Sequence, residues 1–140
     1  MFYREIVIGI TTIFAWVPAL ILTFLAAFLL FMGVAALDKG NILFAVGCVL
    51  LSCGGVMGFI ALTSLCWGLR IAFHKRLAFL VAGVISLGTI IYLGTVDPSS
   101  AFYLSYHPLV VYVFYSPFVI GIFHIVLHCY FWVRSSHKPA

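Results

Sequence analysis

Residues 47–61 read GCVLLSCGGVMGFIA, fifteen positions without a charge, and their reading decides the fold. They sit in an apolar run from about Asn41 to Leu69, closed by Asp38 and Lys39 on one side and by Arg70 on the other. A hydrocarbon layer of about 30 Å needs roughly 20 helical residues to cross it. The run is long enough, so a spanning helix is predicted. Gly54 and Gly58 form a GxxxG within it, and Gly47 and Ala61 extend the small residues at helical spacing. Lipid gives little hydrophobic drive for helices to associate, so close packing along such a stripe must supply it.

Working outward, three further runs of similar character appear, and the four spans fall at about 6–37, 41–69, 77–96 and 108–133. Pro18 lies inside the first, which predicts a kink or an interfacial start there. Small residues for packing recur in the first span (Ala15, Ala19, Ala26, Ala27) and the third (Gly83, Ser86, Gly88). Packing within one bundle is the expected use of these faces, with a seam between copies as the alternative. The whole chain of 140 residues is 66% hydrophobic and 7% charged, with a mean hydropathy of +1.29. A soluble domain carries roughly a quarter charged residues, so a water-facing surface could not be covered. The expected fold is an all-α integral membrane protein, a single four-transmembrane-helix bundle over residues 1–140.

No cleavable signal peptide is expected, because the apolar stretch after Arg4 is far longer than a signal core. The four cysteines, Cys48, Cys53, Cys66 and Cys129, all lie in apolar segments, so no disulfide framework is expected.

Charge predicts the orientation. Arg4, Arg70, Lys75, Arg76, Arg134 and Lys138 fall on the N-terminus, the loop at 70–76 and the C-terminus, which four spans place on one side. Lys39 stands alone on the other, with Asp38 and Asp97. The positive-inside bias predicts both termini in the cytoplasm (N-in/C-in), a bacterial inner membrane as the location, and Arg70, Lys75, Arg76 and Arg134 as cytoplasmic anchors. No basic stripe or recognition motif points to nucleic acid.

The least lipid-like stretch within a span is FHIVLHCYF, residues 123–131. His124 and His128 are one turn apart on one helix face, and ionisable groups at that depth are candidates for function. A bis-histidine haem needs imidazoles on facing helices, but the first three spans hold no histidine. A metal site could join His124 and His128 to Cys66 alone, with no carboxylate nearby and no second ligand pair at a recognisable spacing. No cofactor is therefore predicted. The expected role is a polar tie to neighbouring helices, through carbonyls or hydroxyls such as Thr63, Ser64 and Ser86.

The outer loop, 97–107, gathers Asp97, Phe102, Tyr103, Tyr106 and His107, with Tyr92, Tyr112 and Tyr115 on the adjoining helix ends. Such rings form an interfacial belt and can also serve as a recognition surface. No GxSxG or HExxH accompanies the span serines or histidines, and no Asp or Glu lies within a span to couple protons to a substrate. In length and layout the chain resembles small multidrug exporters, membrane immunity proteins and accessory subunits of larger complexes, a likeness of topology that carries no residues across. The leading expectation is a non-enzymatic membrane protein, an accessory subunit or an immunity- or exclusion-type protein, that binds another membrane protein. The alternatives are a homo-oligomeric channel or transporter lined by His124 and His128, and a haem- or metal-binding redox subunit.

Overall fold

A computed structural model describes residue 6 and residues 9–67, 71–96 and 107–136, with the side chains of 12, 131 and 133–136 left out. Among these residues the chain is helical, without strands. Its four long helices are α1 (Gly9–Asp38), α2 (Ile42–Cys66), α3 (Phe73–Val96) and α4 (Pro108–Ser136). Each is long and apolar enough to cross a bilayer.

Boundary chemistry explains where the helices stop. α1 closes with the Gly40 N–H on the Leu37 carbonyl (2.9 Å) and the Asn41 N–H on the Ala36 carbonyl (3.0 Å). Gly40 takes the left-handed conformation, φ 73°, that this ending requires. Asn41 then caps α2, its Oδ1 accepting from the Phe44 N–H. α4 begins with proline at its first position, behind His107, whose Nδ1 accepts from the Leu109 N–H at 3.3 Å. α3 starts at Phe73, earlier than the expected edge at 77, so half of the expected loop at 70–76 is helix. Charge marks where a chain leaves apolar surroundings, while Lys and Arg are good helix formers and His continues a helix at small cost.

The helices pack in chain order around the bundle. α2 is held most closely, between α1 and α3, and α4 closes the ring against α3 and α1. The α1–α2 seam uses small groups: a Cβ on Gly33 would sit 3.0 Å from the Cys48 Cβ, and Ser52 donates to the Ala26 carbonyl. The α2–α3 seam is tighter. A Cβ on Gly58 would lie 2.8 Å from the Gly83 Cα, and one on Gly54 would lie 2.7 Å from the Ser86 Cβ. There the backbones touch, and Ser86 Oγ donates to the Leu51 carbonyl at 2.6 Å. The GxxxG of α2 is thus occupied inside the bundle. α4 lies against α3 through Gly88, beside the Phe118 ring, and Gly121, beside Val84.

Two expected packing positions fall elsewhere. Gly47 has nothing within 4 Å of its would-be Cβ; it lies about 10 Å along the axis from Gly54, beyond the point of closest approach. Ala27 is exposed while Ala26 is buried, because neighbouring residues point about 100° apart on a helix. Ala15, Ala19 and Ala61 are buried together with Leu62 and Leu80. A second cluster joins Leu29, Ile90 and Phe114, with Tyr115 against it. Between the clusters lies an apolar cavity of about 60 Å³, lined from all four helices by residues including Ala26, Gly55, Leu87 and Gly121.

Candidate functional site

α1 is not α-helical throughout: residues 9–11 are α-helical and a different turn follows them. Thr12–Trp16 form a π-helical turn immediately before Val17 and Pro18. A π turn pairs each carbonyl with the N–H five residues on. For Ile13 that residue is Pro18, which has no N–H. The missing donor comes from another helix: the Tyr112 hydroxyl donates to the Ile13 carbonyl, and its ring stands edge-on to Phe14 at 6.4 Å. Next to this turn, Thr11 Oγ1 meets His124 Nε2 at 3.2 Å, and both residues are buried. Trp16 completes the arrangement from the α2 side, its Nε1 donating to Thr63 Oγ1 at 3.1 Å while its ring packs on Phe59 and Trp67.

His124 and Tyr112 are twelve residues apart, about 18 Å along α4, whereas Thr11 and Ile13 are separated by about 3 Å of rise. The two long side chains therefore converge on the π turn and bracket it. His124 is only 6% exposed. One turn on, His128 Nδ1 donates to the His124 carbonyl at 2.9 Å. Its ring stacks on Phe73 at 5.2 Å, tying the start of α3 to the end of α4.

The histidines thus share a face and meet other helices, but through partners the sequence did not single out. Thr63 serves Trp16 and its own helix, Ser64 donates to the Ala61 carbonyl, and Ser86 is spent on Leu51. None of the three hydroxyls is bonded to His124, whose Nε2 meets Thr11 instead. Rotation of one helix against another decides such pairings, and composition does not report it. Tyr112, expected on an outer recognition face, has its hydroxyl on α1. A proline one turn past a threonine-rich start was the available signal, since it guarantees a carbonyl in search of a donor.

The described residues contain no group of three His, Cys, Asp or Glu able to hold a metal ion. Cys66 does not complete a set with the two histidines, and none of the four cysteines is in a disulfide. Asp38, the one carboxylate among the described residues, closes α1, about 40 Å of helix from Thr11. His124 and His128 therefore have no described acid to work against as a catalytic pair. Of the expected outer recognition residues, His107 caps α4 and Tyr115 is half-buried in the core. Asp97, Phe102, Tyr103 and Tyr106 lie outside the described residues, as do Arg70 and the Arg134 side chain. Lys75 is exposed, and Arg76 is half-buried with Nη2 on the Ile71 carbonyl.

The outside of the bundle has a feature of its own. On α1, Phe24, Phe28 and Phe31 are 74%, 57% and 69% exposed. At spacings of four and three residues they form one ridge, on the side opposite Ala19, Ala26 and Gly33. No protein-family profile, curated protein or solved structure matches this chain.

Proposed function

We propose that this chain is a non-enzymatic integral membrane protein that works by binding another membrane protein, as an accessory subunit or as an immunity- or exclusion-type protein. In this reading both termini and the basic residues at 70–76 face the cytoplasm of a bacterial cell, following the positive-inside bias. The observation that carries it is the division of labour between the inside and the outside of the bundle. Five polar side chains within the helices bond to neighbouring helices of the same chain: His124 to Thr11, Tyr112 to Ile13, Trp16 to Thr63, Ser52 to Ala26 and Ser86 to Leu51. They act as ties in a lipid-like interior, and the cavity they leave is apolar and without the two to four polar partners that a water needs. A conduit lined by His124 is less well supported, since its Nε2 is engaged in the α1–α4 seam.

What such a chain offers to the outside is helix surface. The phenylalanine ridge of α1 presents three rigid rings at the spacing of knobs for another helix. In a bilayer such packing, rather than hydrophobic transfer, drives association.

Purification of the intact protein from its native membrane in mild detergent, with mass determination of the complex, tests this reading. A second membrane protein at fixed stoichiometry is expected. A homo-oligomer free of any other protein that carries ions or solutes across liposomes would overturn it.

A further inference from the structure

The π turn of α1 holds one residue more than the α-helical turn it replaces, and the contacts that favour it all come from outside its own helix. In the π register the carbonyl that faces Pro18 belongs to Ile13; in an α register it would be that of Phe14. Either way proline leaves one carbonyl without its backbone donor, so the choice of register rests on what the neighbouring helices supply. They supply a great deal to one register only. Tyr112 donates to the Ile13 carbonyl, and Thr11 is aligned with His124. Absorbing the extra residue into an α-helix would turn everything before it by about 100° and advance it by about 1.5 Å. Thr11 would leave the His124 face, and the Ile13 carbonyl would return to the Val17 N–H.

We propose that Thr12–Trp16 is a two-position register switch. The π form is latched to α4 by Tyr112 and His124; the α form releases the N-terminal segment of α1 and rotates it. Trp16, at the C-terminal edge of the turn, keeps its bond to Thr63 and its packing on Phe59 in both forms. The core cluster residues beyond the turn, Ala19, Ala61, Leu62 and Leu80, stay in place and serve as the fixed side of the hinge. The device needs no ligand of its own; any partner that contacts the start of α1 or the Tyr112 side of α4 biases it. It is independent of whether the chain binds another membrane protein.

The test uses genetically encoded spin labels, which leave the native cysteines untouched, at Ile10 before the turn and at Val126 on α4, both exposed. In the wild-type protein one dominant label–label distance is expected. Tyr112→Phe and Thr11→Val each remove a latch bond while keeping shape. Each is expected to raise a second, discrete distance on the order of fivefold, and the double variant by roughly the product of the two. A chain lacking Phe14 has no extra residue to redistribute and should hold the wild-type distance even with both substitutions. A single unchanged distance in the double variant overturns the switch. So does a broadened distribution without a second peak, or the same second distance in the chain lacking Phe14.

Discussion

Adding one methyl group to α2 should have opposite effects at positions three residues apart. Gly58 meets Gly83 so closely that a Cβ would stand 2.8 Å from the Gly83 Cα, with backbone as the obstacle. Carbon atoms settle at about 3.5–4.0 Å, so Gly58→Ala must push α2 and α3 apart by roughly 1 Å. A gap of that size forfeits about a quarter to a half of the dispersion energy of each contact it opens. It also lengthens the bond from Ser86 Oγ to the Leu51 carbonyl from 2.6 Å to about 3.6 Å, beyond useful hydrogen bonding. Overpacking at about 1–3 kcal/mol and a lost bond at about 1 kcal/mol give a destabilisation of about 2–4 kcal/mol. Gly55 faces the cavity instead, and its Cβ would meet only the Ala26 Cβ, at an ordinary 3.5 Å. Gly55→Ala restricts the unfolded backbone and fills part of the 60 Å³ void, a gain of up to about 1 kcal/mol. Reversible unfolding of the two variants in mixed micelles, followed by circular dichroism, measures the difference directly. Equal stabilities, or Gly58→Ala the more stable, would refute the account of the α2–α3 seam.

The remaining expectations concern the ties and the turn. Removing Thr11 and His124 singly and together (Thr11→Val, His124→Leu) should show a coupling on the order of 1 kcal/mol in a double-mutant cycle of unfolding energies; additive effects would mean that the buried pair is not bonded. Ser86→Ala keeps the Cβ that Gly54 packs on and loses only the hydroxyl, so it should cost about 0.6–1 kcal/mol, well below Gly58→Ala in the same assay. Gly40→Ala should cost about 1–2 kcal/mol, because φ 73° is reached there with open space around it, so conformation and not crowding sets the penalty.

How much of this could be read from the chain depends on which physical term decides each feature. Four helices follow from apolar run length against the thickness of a hydrocarbon layer, and the helices found differ from the runs mainly at Phe73, where charge and helix end part company. The small-residue positions Gly54, Gly58 and Gly83 are visible as composition at helical spacing. Their partners are not, because a stripe states that something comes close without stating what. Gly47 shows the limit: it fits the spacing but lies where the helices have diverged. The histidine pair is visible as the least lipid-like feature of α4, and its common face follows from the four-residue interval. Thr11 as the partner of His124 depends on the rotation of α1, which the π turn sets. That turn is foreshadowed by Pro18 only as a kink. Tyr112 belongs to both worlds: its place near a helix end reads as an interfacial ring, and the freed Ile13 carbonyl explains why its hydroxyl reaches α1.

The central claim, that polar ties hold the helices to one another and the bundle meets its partner with helix surface, is tested most directly by photo-crosslinking in native membranes. A photoreactive phenylalanine analogue at Phe24, Phe28 or Phe31 is expected to yield one discrete adduct with a single other membrane protein, while the same group at exposed Ile85 on α3 yields lipid adducts only. Lipid adducts alone from all four positions would contradict it.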